Sequence, residues 1–420
     1  MMDLTPLKKY RDYRLLWSSG LISLFGSQMT YVALPFQVKL ITGSYVDVAL
    51  IGSIELIPLI IFGIYGGVLA DKLDKSKMIW FTEAACMGSS LILFINSRLH
   101  HPHLIVLYIV AALFATFDGL QRPSANAILP RVVNHEDLPS ANALMSLRSQ
   151  VGMIIGPTAA GLILSLSGPS AAYLIDIATF VLSLILLWQV SSVPSTVVEE
   201  KPSWAAAIEG FKYAFSRQDL LGTYIIDLIA MFFAMPNALF PFWADDLHSR
   251  SALGLFYISG TIGSLVITLF SRSIMKYPFH GKAVIFAASG WAIAVACAGI
   301  FHSLALAILF LILAGASDMC SALFRGNIWN QSIPDDFRGR LAGIEMLSYS
   351  IGPLAGQMRA GAMAQWGSLH FSIVGGGVIC FILIILAAIL LPKMRNYDVR
   401  TNKFVLAVKK SKENLGESNS

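Results

Sequence analysis

"GGVLADKLDKSK", Gly66 to Lys77, is the stretch on which the fold turns. An apolar run reaches Ala70, and then Asp71, Lys72, Asp74, Lys75 and Lys77 fall within seven positions. The chain as a whole is 56% hydrophobic and only 13% charged. So dense a cluster marks a place where the polypeptide leaves an apolar medium. A soluble protein carries about 25% charged residues. The shortfall predicts an exterior facing lipid, where a charge costs roughly 2.5–3.5 kcal/mol on insertion scales.

Working outward from that cluster, twelve apolar stretches approach the ~20 residues needed to cross a ~30 Å hydrocarbon core. They run 15–38, 48–70, 78–97, 104–121, 141–166, 171–193, 219–243, 252–275, 283–301, 304–324, 341–366 and 370–392. Backbone polar groups in lipid must be satisfied within the segment, so these are predicted helices. A β-barrel would show ~10-residue alternating segments instead, and the sequence has none. The first apolar run is too long for a signal-peptide core and has no clear cleavage site, so no cleavable leader is expected. Cys86, Cys297, Cys320 and Cys380 all fall inside predicted spans, which argues against a disulfide framework. No metal-ligand spacing is visible, and the outer-loop run His100-His101-Pro102-His103 lacks a partner set for one.

Of the 30 Lys and Arg residues, 25 fall on one side of this topology, three on the other, and Arg148 and Arg359 inside spans. The asymmetry predicts that both termini are cytoplasmic. Topology therefore accounts for the net charge of +5, with no nucleic-acid partner required. The tail, basic near the membrane and polar at its end, is expected to be disordered, its lysines meeting anionic lipid headgroups.

The longest connection between spans, Pro194 to Gln218, divides them six and six. It carries Trp204, Ile208, Phe211 and Phe215 at helical spacing, the pattern of an amphipathic helix lying on the membrane face. The predicted organisation is an N-terminal six-helix bundle (1–193), a linker (194–218), a C-terminal six-helix bundle (219–392) and a tail (393–420). Asp118 and Asp318, and "IGPTAAG" (155–161) and "IGPLAG" (351–356), echo each other across the halves. Such an echo predicts a duplicated, all-α integral membrane fold: two bundles related by a pseudo-two-fold axis along the membrane normal, with a pathway at their interface.

Gly66 and Gly67 are expected to give a tight hinge between spans two and three. Asp71 would face the N-terminal dipole of a neighbouring helix, and Lys72 and Lys75 would pair with nearby carboxylates. Asp118 and Arg122, one turn apart, would join them, Asp118 meeting Lys75 or closing a simple i,i+4 pair with Arg122. A charged latch of this kind, made on one membrane side only, suits a bistable machine.

This stretch resembles the loop 2–3 signature of the major facilitator superfamily, G-x-x-x-A-D-[RK]-x-x-[RK]-[RK]. Gly66, Ala70, Asp71, Lys72 and Lys75 match it, Asp74 stands where many members have glycine, and Ser76 and Lys77 match in part. "GMIIGPTAAG", Gly152 to Gly161, is similar to the span-five motif of the superfamily's antiporters. There Gly152, Gly156 and Gly161 would admit a close helix neighbour, and Pro157 would bend its own helix. "YRDYRLLWSSGLISLFGSQM" and "GFKYAF" look most like the branch holding the enterobactin exporter and macrolide-efflux proteins. The resemblance implies an exporter.

Ionisable residues inside spans are the first functional candidates. Glu55 in span two and Arg359 in span eleven lie at similar depth, and the resemblance implies that these spans face each other. Their contact would be an outer gate, a proton-sensitive pair or a static ion pair. Asp227 is a second proton carrier or a structural hydrogen-bonding group. Arg148 would line the cavity, attract an anionic substrate group or pair with a carboxylate. Asp318 and Arg325 are the second-half counterparts of Asp118 and Arg122. Asp176, Glu345 and Glu83 lie shallow enough to reach interfacial water, in packing or capping roles. Gln28, Gln37, Asn237 and Gln357, with Tyr31, Phe36, Phe232, Phe233 and Trp243, would suit an amphipathic cavity or serve in packing.

No phosphate-binding G-x-x-x-x-G-K-[ST] loop is present, so no nucleotide and no other cofactor is expected. No nucleophile–base constellation points to an enzyme. The reading is a secondary active transporter, acting as a monomer, that exports a small amphipathic, drug- or siderophore-like molecule by proton antiport. An importer or uniporter of the same fold, or a transport-inactive scaffold or receptor, stands as the alternative.

Overall fold

The computed structural model describes residues 3–193, 212–249, 252–333 and 335–408, with side chains throughout except at Val68, Ala70, Asp71 and 335–350. Its elements are α1 (Thr5–Lys9), α2 (Arg11–Thr42), α3 (Tyr45–Lys72), α4 (Lys75–Ser97), α5 (Leu104–Val132), α6 (Leu138–Leu187) and α7 (Gln218–Phe233). They continue with α8 (Phe240–Asp246), α9 (Ala252–Ile274), α10 (His280–Ile300), α11 (Leu304–Ser332), α12 (Asp335–Trp366), α13 (Leu369–Leu390) and α14 (Pro392–Arg395). No strand occurs among the described residues. Nine helical segments among them are long and apolar enough to cross a membrane. α2 and α12, each of 32 residues, cover two further predicted stretches with more polar sequence.

Local chemistry sets the breaks. α2 stops at Gly43, whose φ of 62° is the left-handed conformation that closes a helix. Ser44 caps α3 by accepting the Asp47 N–H at 3.2 Å, and Ser368 caps α13 by accepting that of Phe371 at 3.0 Å. α6, at 50 residues, would be about 75 Å long if straight. It breaks at Gly168 (φ 71°, ψ −175°), followed by Pro169, so the fifth and sixth predicted spans are two helices that meet at this glycine without an intervening loop. The seventh span is broken: α7 ends at Phe233, Ala234 leaves helical geometry, and a 3-10 turn at Asn237–Leu239 leads into α8. Pro236 explains the break, since it donates no N–H and disfavours helix in the residue before it.

Two compact units form: Met1–Lys201 with Ala238–Ile258, and Pro202–Asn237 with Ser259–Ser420. In the first, α2 runs beside α6 in a fixed parallel register. The Tyr13 hydroxyl donates to Ala141 O at 2.8 Å and the Trp17 indole to Leu144 O at 2.9 Å, pairs 128 and 127 residues apart. Near the start of this pairing Lys9 and the Tyr10 hydroxyl both reach Asp137, at 2.9 and 2.7 Å. Lys39, at the far end of α2, holds α8 through Pro241 O at 2.7 Å and the Asp245 carboxylate.

In the second unit α10 packs against α11 and α13, and α12 packs against α7. The segment after α13, expected to be disordered, is ordered as far as the described residues go. Met394 and Tyr397 are buried, Met394 against Gly222 and Gly281, and the Val399 N–H donates to Pro278 O at 3.1 Å. Arg217 makes two hydrogen bonds to Asp219, at 2.8 and 2.6 Å, and its guanidinium lies 3.4 Å from the Phe404 ring centroid. Two large apolar anchors and a caged cation outweigh the polar composition of this segment. The amphipathic helix expected in the linker lies largely outside the described residues.

Gly66 and Gly67 are not a hinge. Both sit inside α3, which continues to Lys72, and the turn falls at Leu73–Asp74. A side chain at Gly66 would strike the backbone of Gly119 and Leu120 on α5, at 2.8 Å, so this glycine permits a close helix crossing. Nothing approaches the corresponding position at Gly67. Gly66→Val should therefore destabilise the detergent-solubilised protein by about 1–3 kcal/mol, and Gly67→Ala should leave its thermal midpoint unchanged or slightly raised.

Candidate functional site

The polar groups of the second unit are set by an antiparallel register between α7 and α11. Thr223 and Asp227 are one turn apart on α7, and Arg325 and Trp329 one turn apart on α11. The Trp329 indole donates to Thr223 Oγ1 at 2.8 Å, and Arg325 pairs with Asp227. Tyr224 stacks on Trp329, with ring centroids 5.0 Å apart. The pair is dry: the side chains of Arg325 and Asp227 are 3% and 1% exposed. Asp227, a proton-carrier candidate by sequence, is thus ion-paired with Arg325, the second-half counterpart of Arg122.

The first unit holds its polar groups differently. Glu83 on α4 accepts hydrogen bonds from Ser23 of α2 at 3.0 Å and Ser183 of α6 at 2.7 Å, and from Gln121 of α5 at 3.3 Å. One heptad along each helix, Asp176 on α6 accepts from Thr30 of α2 at 2.5 Å and Ser90 of α4 at 2.6 Å. Neither carboxyl reaches interfacial water, as their sequence depth had implied. Asp176 is 0% and Glu83 6% exposed, because three helices close around them. Sequence reasoning missed the hydroxyls, although Ser23 and Thr30, and Glu83 and Ser90, share one seven-residue spacing. Arg148, expected to line a cavity, lies over Gly20 and donates to Leu16 O at 3.4 Å.

The span-five motif acts as a smooth helix face. Gly152 meets Leu24 and Gly156 meets Gln28, both on α2, while Gly161 lies against Gly254 of α9. Bulkier residues would push these helices apart. Pro157 sits inside α6, whose marked departure from helical geometry is at Gly168. Glu55 is half-buried on α3. Arg359 is held within its own unit, donating to Phe232 O at 3.2 Å and Ser372 O at 3.3 Å. Gln37 accepts from the Tyr173 hydroxyl at 2.7 Å, and Trp243 is fully buried with its ring 4.7 Å from that of Phe256. Both are packing residues.

At the charged turn, Asp118 pairs with Arg122 at 2.6 Å, the i,i+4 alternative, with both side chains near half exposure. Lys72 is exposed and Lys75 buried, and the Lys75 N–H donates to Val193 O at 3.2 Å. The side chains of Asp71 and Glu345 lie outside the described residues. Asp74, the residue that departs from the signature, caps α4. Its carboxylate accepts the Lys77 N–H at 3.1 Å and the Ser192 hydroxyl. Partial burial raises its pKa, but the hydrogen bonds from Ser192 and the backbone outweigh that and hold it below the ordinary aspartate value.

Asp227→Ala should cost about 3–5 kcal/mol, because Arg325 is left buried and unpaired, and a doubly apolar Asp227→Leu/Arg325→Met variant should recover most of it in thermal melts. Asp74→Ala should cost about 1 kcal/mol at neutral pH through loss of the cap. A depressed carboxyl pKa stabilises the fold above its unfolded value. The difference between wild type and Asp74→Ala should therefore be full above about pH 4 and shrink as acidification passes through the lowered pKa. Paired melts across that range check it.

The profile of a family described as transmembrane secretion effector matches residues 2–412. Enterobactin exporter EntS of Shigella boydii serotype 18 is 22% identical over 402 residues, which is 94% of this chain and 96% of that protein. Its counterpart in Citrobacter koseri is 23% identical over 396 residues, covering 93% and 94%. A mutant of the nucleoside transporter NupG superposes with a TM-score of 0.72 at 13% identity, covering 91% of this chain and 99% of that one. A bacterial homologue of the iron transporter ferroportin gives 0.69 at 15%, covering 92% and 98%. Helices built for lipid and a family match along almost the whole chain lead to one conclusion: this protein belongs to the transmembrane secretion effector family of the major facilitator superfamily, and is a multi-pass membrane transporter rather than an enzyme.

Proposed function

We propose that the protein exports a small amphipathic molecule, siderophore- or drug-like, across a bacterial inner membrane in exchange for protons. It works as a monomer with both termini in the cytoplasm, by alternating access of two six-helix bundles. The observation that carries this reading is the similarity to enterobactin exporters over more than nine-tenths of the chain. The glycine face of Gly152, Gly156 and Gly161, with Pro157, supports it, because the antiporter-like motif is used here in helix packing. The charge asymmetry of the loops supports the orientation.

In this reading Glu55, Asp227, Arg359 and Arg148 are the coupling or gating candidates. Gly66, Gly67, Asp71, Lys72, Lys75, Asp118 and Arg122 form the cytoplasmic latch region. Protons supply the driving force, and anionic lipid headgroups neighbour the basic ends.

Inverted membrane vesicles containing the protein test this, with a panel of siderophores, macrolides and cationic dyes. The expected result is accumulation of a panel member that an uncoupler abolishes. Accumulation unaffected by the uncoupler would remove the proton from the mechanism, and efflux of none of the three classes would remove the substrate class.

A further inference from the structure

The carboxyls of the first unit form a repeated device. One layer is Ser23, Glu83 and Ser183; the next is Thr30, Ser90 and Asp176. Each holds one carboxyl, with a hydroxyl from each of the other two helices. Both layers step by one heptad, about 10 Å along the helix axes. The carboxyl changes helix between them, from α4 to α6, and the hydroxyls follow suit.

Among the described residues, no salt bridge reaches Asp176 at the second layer. Thr30 and Ser90 both donate to one oxygen of Asp176, and its other oxygen, Oδ1, is buried without a hydrogen-bond partner. That oxygen faces the Cα of Gly26, where a side chain would intrude at 2.6 Å. Of the titratable groups around Asp176, Glu83 and Cys86 face it from α4, and Tyr173 lies on its own helix, with its hydroxyl bonded to Gln37. None of these is a cation. Around Glu83, the Arg148 charge reaches from the first half of α6, and Cys86 shares its helix.

A structural carboxylate in lipid ordinarily comes with a cation, because a lone buried charge is costly. Here the donors are two neutral hydroxyls on one side and an open oxygen on the other. Hydroxyls can donate to a carboxylate and rotate to accept from a carboxylic acid, so the same cradle holds both states without moving a helix. We propose that Asp176 is a proton-binding site of the first unit, with Glu83 as a second station along the same helices. Proton binding stands on the geometry alone; its use in driving export rests on the antiport reading above.

Infrared difference spectra of the full chain in lipid nanodiscs, recorded as pH is stepped, read the carbonyl stretch of protonated carboxyls directly. Asp176→Asn should delete one titrating band and Glu83→Gln another. Thr30→Val and Ser90→Ala should shift the Asp176 band without deleting it. Should Asp176→Asn fail to fold, the two hydroxyl variants still decide: bands unmoved by both overturn the proposal, as does a wild-type spectrum unchanged by Asp176→Asn. In vesicles, Asp176→Asn should lose uncoupler-sensitive accumulation while keeping substrate counterflow. Wild-type transport that ignores the uncoupler, alongside a titrating Asp176 band, would sink the antiport reading and leave the proton site standing.

Discussion

The polar side chains that link this protein's helices across its apolar interior meet only where helix register brings them together. Water is not available in the bilayer core to correct a mismatch. The parallel register of α2 and the first half of α6 brings Tyr13 to Ala141 O and Trp17 to Leu144 O. The antiparallel register of α7 and α11 brings Asp227 to Arg325 and Thr223 to Trp329. A slip of one residue on either helix would rotate these groups by about 100°, leaving charges and indoles buried without partners. Polar pairs of this kind add modest energy each but penalise every wrong register.

Small residues make such registers attainable. Gly66 lets α3 cross α5 at backbone distance, and Gly152 and Gly156 make room on α6 for the Leu24 and Gln28 side chains of α2. Gly168 serves a different need, bending α6 through a backbone conformation that other residues avoid. The glycines that sequence alone marked as hinges and those that bend the chain are therefore different. Their backbones separate the two uses: Gly168 adopts a φ of 71° and turns the chain, whereas Gly156, also directly before a proline, lies within the helix and packs against Gln28.

The helices themselves were legible because apolar run length follows from bilayer thickness, a one-dimensional quantity. All twelve predicted stretches fall largely in helix. What the sequence could not display was partner choice. Arg325 read only as the counterpart of Arg122, with no partner visible, but Asp227 on α7, 98 residues away in the chain, pairs with it. Asp176 and Glu83 looked shallow because depth was counted along one helix, whereas their burial is created by two others. Span seven read as continuous because Pro236 alone does not interrupt an apolar count, though it does interrupt hydrogen bonding. The ordered segment after α13 was hidden for the converse reason: composition averaged over a polar tail conceals Met394 and Tyr397, whose burial holds its first turns.

The two units solve the same electrostatic problem by opposite means. Asp227 meets a full positive charge, so losing its own charge would strand Arg325 in a dry site. Breaking such a pair leaves an uncompensated buried charge, which favours a fixed structural contact. Asp176 meets only hydroxyls, whose dipoles can reverse at little cost, and leaves one oxygen open. A carboxyl so placed can change protonation without abandoning a partner. If a buried acid of this chain is to gain and lose a proton while its helices stay in register, chemistry favours the seam with no cation over the seam with one. The candidate that ionic pairing made conspicuous in the sequence is thus the less suitable of the two, and the one supported by serines and threonines the more.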